Sequence, residues 1–519
     1  MNSGRCLRII VSFAFPVYLL CGCGGQRTPD NAPVTAGPVT VGCRGVVHKG
    51  AEAVDTGAVC DREKERMAEA LRMDKKGLLH SDRILVDSDA SMLDIPRGMK
   101  GLFGRDFTVS ETPPEIEFAI VPVVPKFLAR YNNQDESGWW GNYCQSNYYA
   151  PTGMFYSGVA DHGTYDAHIY LVAYDTRAGT IRCLPEVNVS LGRSPDDFGD
   201  GILHGWLDFY QGGHLSRPHL WFCTYWAKFP EPGEADYATG YDGGHIVSCD
   251  FETGEYVDYG APLPRTSWPY HRVDARRGML YAVSLRSEFL AWDIEEQRTR
   301  WAGYPPEGMA WYNRTILLDE ETGRVYSINA VEGDTERRMI MYDPEKNRFS
   351  VLDCAMPENS ATGTVDPMRA QTRRRGPDGL FYGVTSSGEL FTFDPKREVV
   401  EGKGVDWPGD RRYCCSMDRS PGGRYVYYQV NAYNQGSPIV QYDTKTGVRK
   451  VLAFTMPYYY KKYGYIPTFS YSVKLNDEGD KLFLMWNGAF KEFEEDLGVT
   501  MWGHCSVMVV NIPESERIE

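Results

Sequence analysis

Five of the chain's ten histidines, with several arginines and tyrosines, stand at the edges of apolar strand-like runs and not within them. His162 lies in "DHGTYD" with Tyr165 beside it, Tyr241 and His245 sit in "GYDGGH", and His504 precedes "CSVMVV". Asn142, Gln145, His204, His271, Arg272, Arg369, Arg411 and Arg412 each stand at the approach to another such run. An imidazole can exchange a proton near neutral pH or ligate a metal, and an arginine fork fits carboxylate or sulfate. Gathered on one rim, these residues would focus a negatively charged ligand. Singly, a histidine at a strand start is more often a satisfied polar residue, so the elements that position them decide the matter.

Those elements repeat. "YLVAYDTRAG", "HIVSCDFETG", "FLAWDIEEQ", "MIMYDPEKN", "LFTFDPKRE", "IVQYDTKTG" and "VMVVNIPES" each join an apolar run to an Asp (Asn once) and a polar turn. The marker falls at Asp175, Asp250, Asp293, Asp343, Asp394, Asp443 and Asn511, in steps of 75, 43, 50, 51, 49 and 68 residues. Between markers recur "DARRGMLYAV", "DEETGRVYSI", "GPDGLFYGV", "DRSPGGRYVYY" and "NDEGDKLFLM", each a glycine turn opening an aromatic-rich strand, which is a hairpin signal. A period near 50 residues with about four strands per unit predicts an all-β, seven-bladed β-propeller. The marker Asp is expected to accept backbone N–H bonds in its turn. The last marker lies close to the end of the sequence, so a strand within "RDFTVSETPPEIEFAIVPVV" should complete the seventh blade.

Each blade then has an inner strand before the glycine turn, a second after it, and the marker strand third. This order places inner-strand entrances and the loops between second and third strands on one face, where loops can vary without unfolding the scaffold. The long steps put insertions in the second and seventh blades; the second contains "WAKFPEPGEADYATGYDGGH". His204 and Arg272 are expected to face solvent there. A slip of one residue would turn a side chain from the channel toward the next blade.

Arg5 and Arg8 precede an apolar run ending in "LCGC", a pattern that resembles the bacterial lipoprotein signal and implies acylation of Cys23. The expected organisation is a signal at 1–22, a Gly/Pro-rich tether at 23–60, a helical N-terminal extension at 61–105 with its helix in "CDREKERMAEALRMDKKG", and the propeller at 106–519. This implies a monomer in the bacterial cell envelope, meeting the membrane only through its lipid anchor. Losing Arg5 and Arg8 takes the formal charge from −15 to −17, which disfavours nucleic acid as a partner. Cys183, Cys223, Cys249 and Cys505 lie in strand-like runs and read as buried thiols; Cys43 and Cys60 form the expected bridge.

"WWGNYCQSNYYAPTGMFYSGVADHGTYDAHIYLVAYDTRAG" and "HGWLDFYQGGHLSRPHLWFCTYW" with "GYDGGHIVSCDFETGE" resemble the opening blades of exported seven-bladed propellers of polysaccharide-degrading bacteria. Some of these are lyases for ulvan or oligogalacturonate. The resemblance covers residues 138–519 as architecture and implies an anionic, uronate-containing polysaccharide as partner. For β-elimination, an arginine (Arg272, Arg369 or Arg411) would neutralise the uronate carboxylate. His162 or His204 would take the C5 proton, and Tyr241 would protonate the leaving oxygen. Asn142, Gln145, His245, His271, Arg369 and Arg411 would bind substrate. Three of the histidines could instead hold a divalent metal. The rival reading is a non-catalytic propeller that holds glycan or protein partners, since a fold alone does not decide function. Only "WDIEEQRTRW" approaches the docking repeat of quinone-dependent dehydrogenases, and it lacks the glycine. No G-x-S-x-G, Walker or dinucleotide glycine pattern occurs.

Overall fold

The computed structural model describes residues 39–41, 84–122, 139–162, 168–193, 200–226, 232–238, 240–410, 412–491 and 503–518. Residues 1–22, Cys23, the Cys43–Cys60 pair and the "CDREKERMAEALRMDKKG" helix lie outside them, as do Tyr165 and Arg411.

The marker strands behave as the repeat requires. Ile169–Asp175, Ile246–Asp250, Phe289–Asp293, Arg338–Asp343, Glu389–Asp394, Pro438–Asp443 and Ser506–Asn511 are each the third strand of an antiparallel sheet and end on the marker. In six blades the marker carboxylate accepts backbone N–H bonds from the turn, as when Asp175 Oδ1 accepts from Arg177 and Ala178 at 2.8 and 2.9 Å. The fourth residue after it has a positive φ in all six: Gly179, Gly254, Gln297, Asn347, Glu398 and Gly447. Glycine and asparagine recur at this point because a Cβ is strained in that conformation; Gln297 and Glu398 adopt it nevertheless.

The sheets make seven blades. Blades one to six span 139–183, 208–258, 270–303, 317–355, 368–405 and 414–454. Blade seven takes three strands from 465–511, and its outer strand is Glu115–Ile120, paired antiparallel from Ser506↔Ile120 to Asn511↔Glu115. The ring therefore closes with the N-terminal strand expected from the sequence. Around that closure Ala119, Phe483 and Val507 of blade seven share an apolar layer with Phe155, Val159 and Tyr170 of blade one. A single blade cannot cover its own faces, and such shared layers recur between neighbours.

Three short segments extend outer edges: Leu85–Asp87 on blade seven, Phe107–Val109 parallel to the outer strand of blade six, and Val39–Val41, within the expected tether, on blade two. The described part of the expected helical extension, 84–105, holds that Leu85–Asp87 strand and two 3₁₀ turns. Insertions fall where the long steps put them. Blade two carries the loop with strand Tyr225–Trp226 and helix Glu234–Ala238, and its approach holds helix Val187–Ser190 and strand Asp200–Ile202, which pairs with Tyr225–Trp226. Blade seven is approached through helix Thr455–Tyr463. Cys144, Cys183, Cys223, Cys249, Cys354, Cys414, Cys415 and Cys505 are free thiols, as strand-embedded cysteines should be.

Candidate functional site

Side chains alternate along a strand, so each inner strand sends every second residue toward the ring axis. Three polar layers result. The deepest joins Asn147, Asp208, Arg272 and Arg373. Arg373 donates to Asn147 Oδ1 at 2.7 Å and Asp208 Oδ1 at 2.6 Å, and Arg272 Nε donates to Asp208 Oδ2 at 3.2 Å. The Arg373 and Arg272 charges hold the Asp208 carboxyl below its usual range although burial pushes it up. The middle layer joins Gln145, Trp206, Tyr270, Gln371 and Cys415. Trp206 Nε1 and Gln371 Nε2 donate to the Tyr270 hydroxyl at 2.8 and 3.1 Å, and Gln145 Nε2 donates to the Cys415 carbonyl at 2.9 Å. Two of these bonds cross between blades that are not neighbours: Gln371 of blade five to Tyr270 of blade three, and Gln145 of blade one to Cys415 of blade six.

The layer nearest the entrances is different. Tyr143, His204 and Tyr471 form a ring cluster with centroids 5.4–6.1 Å apart. Beside it Arg369 Nε donates to the Tyr413 hydroxyl at 2.7 Å, and its guanidinium lies 5.1 and 5.3 Å from the Tyr413 and Tyr471 ring centroids. Strand register breaks here in three successive blades: between Met368 and Ala370, between Cys414 and Met417, and between Ser470 and Ser472. Arg369, Cys415 and Tyr471 sit in those breaks. Bulges re-aim side chains and gather beside functional sites.

The blade-two insertion builds a second network. Tyr241 donates its hydroxyl to Asp200 Oδ1 at 2.7 Å, and Arg193 and Thr224 bind Asp200 Oδ2. His245 stands between Asp258, 2.8 Å from Nδ1, and Asp242, 2.9 Å from Nε2. Burial and the Arg193 charge oppose its protonation, but the two carboxylates prevail and raise its pKa to about 9. Burial, then Asp200, pushes the Tyr241 hydroxyl well above its ordinary range.

Measured against the sequence-predicted site, Gln145, His204 and Arg369 reach the axis. Arg272 does too, but in the deepest layer, 1% exposed and paired with Asp208. His204 is 8% exposed within the tyrosine cluster. The expectation that both face solvent is therefore corrected: neighbouring blades approach closely enough at the axis to bury them. Asn142 and His271 have the opposite parity. Asn142 exchanges two bonds with Asn487 of blade seven, at 2.6 and 2.9 Å. His271 accepts the Cys223 N–H at 3.3 Å, and burial lowers its pKa to about 4. Tyr241 and His245 belong to the insertion network. Arg412 donates to the Trp407 carbonyl at 3.0 Å, and His504 packs on Phe490. His162 ends the second strand of blade one.

The sequence reading missed Tyr143, Asp208, Arg373, Tyr413 and Tyr471. Strict alternation from Gln145, Arg369 and Arg411 would have reached Tyr143, Arg373 and Tyr413. Among the described residues no three His, Cys, Asp or Glu side chains are grouped to hold a metal, so the described histidines do not form the metal set considered from the sequence.

No family model and no curated protein matches the chain. Similar solved structures include one titled "Structure of U3-55K", at 9% identity and TM-score 0.44, covering 72% of this chain and 96% of that one. Another, "Crystal structure of RRP9 WD40 repeats", is 9% identical at TM-score 0.43, covering 71% and 94%.

Proposed function

We propose that this propeller is a non-catalytic binding module for an anionic glycan, displayed at the bacterial cell envelope by a lipid on Cys23. One observation carries the choice of binding over lyase chemistry: the described groups suited to acid–base or neutralising work are already engaged inside the protein. Tyr241 gives its proton to a bond with Asp200, and Arg272 is closed into the Asp208 pair. His271 is fully buried, and His204 is packed among tyrosines. A general acid or base must reach the proton it moves, and these do not open to a substrate. Arg369, in the layer nearest the entrances, is bonded to the Tyr413 hydroxyl and to no carboxylate among the described residues, and an acidic body with a local basic site favours anions there.

The test is incubation of the full chain with ulvan, pectate and glycosaminoglycans, following both binding and the ultraviolet absorbance of unsaturated uronate. Binding that weakens with added salt, without growth of absorbance, is the expected result. Growing absorbance would restore the lyase reading; absence of binding to every acidic glycan would remove the ligand class.

A further inference from the structure

The stretch "IPRGMKGLFGR", 95–105, carries three cations and no carboxylate in a chain where acids outnumber Lys and Arg, 70 to 55. Its apolar side chains divide into two sets. Ile95, Met99 and Phe103, spaced four apart, close on the core between blades five and six. Met99 is 5% exposed, and the Phe103 ring lies 6.0 and 6.1 Å from those of Trp407 and Phe454. Leu102 does not join them and is 45% exposed. Arg97, Lys100 and Arg105 are exposed with it. Among the described residues none of these three side chains forms a salt bridge or a hydrogen bond. Arg97 and Lys100 line one open hollow of about 560 Å³ with Gly98 and Gly101; Asp94 shares the lining and pairs with neither. Phe107–Val109 then pairs with the outer strand of blade six, which fixes the stretch on the perimeter of the ring.

An exposed leucine among unpaired cations fits a surface where hydrocarbon lies behind a layer of negative charge. We infer that loop 95–105 docks on an anionic lipid surface, with Arg97, Lys100 and Arg105 on headgroup phosphates and Leu102 reaching the acyl chains. The loop is held for this by Met99 and Phe103, whose burial fixes the backbone and leaves the other side chains outward. An anionic glycan would answer the cations and leave Leu102 in water. The rest of the chain, with its excess of acid, is repelled by such a membrane. This loop therefore decides which edge of the ring approaches it. The contact is separate from the glycan reading and additional to a lipid on Cys23, and it depends on neither.

The experiment uses the unacylated full chain with vesicles of phosphatidylcholine, alone or mixed with phosphatidylglycerol, read by flotation and by amide exchange of the 95–105 peptide. The apolar run before Cys23 is common to every arm, so only the difference between vesicles is read. Each cation at a charged leaflet contributes about fivefold. We expect anionic vesicles to be bound about tenfold tighter or more than neutral ones, with slowed exchange at 95–105 and weakening by salt. Arg97→Gln/Lys100→Gln/Arg105→Gln should remove that preference at an unchanged melting temperature, because none of these side chains holds an internal bond. Leu102→Ser should weaken binding about tenfold with the charge intact. Equal binding to both vesicles, or a preference kept by the triple variant, would overturn the site. Wild-type affinity in Leu102→Ser would overturn the lipid assignment. Oligogalacturonate should bind wild type and triple variant alike, which separates this loop from the glycan reading; its loss in the triple variant, with vesicles refused, would make the loop a glycan site instead.

Discussion

His245 is held by two carboxylates, and this sets how its contribution to stability depends on pH. Its pKa stands at about 9 in the fold against 6.5 for an unperturbed imidazole. A raised pKa means the folded state binds the proton more tightly. The stabilisation is thus full below about pH 6.5 and is lost as pH rises through about 9. Asp242 and Asp258 are held below their usual range by His245 against the opposing effect of burial, so strong acid removes it as well. His245→Gln should therefore melt several degrees below wild type near pH 6, with the gap shrinking toward about pH 10; a gap that stays constant would contradict the buried imidazolium. At this scale the sequence was legible where partners are local. The marker aspartates bond two and three residues ahead, as their turns predicted. It was not legible where the partner lies elsewhere: nothing around Arg272 announces Asp208, 64 residues earlier in another blade.

At the scale of elements, the closing strand is the clearest reading. A seventh marker without a successor required a partner from the N-terminal side, and Glu115–Ile120 supplies it with a complete ladder. Phe118 is 1% exposed and packs on Tyr459 and Tyr465, with centroids at 4.8 and 5.2 Å. A chain beginning at Val121 would leave the third strand of blade seven as an open edge. It should lose cooperative melting, while Phe118→Ala in the full chain should cost about 3–5 kcal/mol. Circular dichroism of both settles it: a truncated chain that melts like the full one would refute closure by this strand. The register breaks at Arg369, Cys415 and Tyr471 had no signal in the sequence. A bulge shows only when two strands are laid side by side, and the repeat gives their order without their register.

For the molecule as a whole, the deepest axial layer changes how a ring of repeats holds together. Repeats stacked side by side are stabilised by their neighbours, so blades can in principle loosen in turn. Here Asp208 of blade two binds Arg272 of blade three and Arg373 beside the inner strand of blade five, and Arg373 reaches Asn147 of blade one. One carboxylate thus ties blades across the axis. Asp208→Asn would leave the buried Arg272 and the partly buried Arg373 without their counter-charge, at a cost of roughly 3–5 kcal/mol. It should also release blade five from blade two, so that the calorimetric transition broadens as well as falling in temperature. Replacing the whole set, as Asp208→Leu with Arg272→Met and Arg373→Met, removes the unpaired charges and should recover part of the midpoint. That variant should not recover the sharpness, because apolar side chains pack without fixing which blades they join. A single, equally sharp transition at the wild-type midpoint in Asp208→Asn would mean that neighbour contacts alone hold the ring.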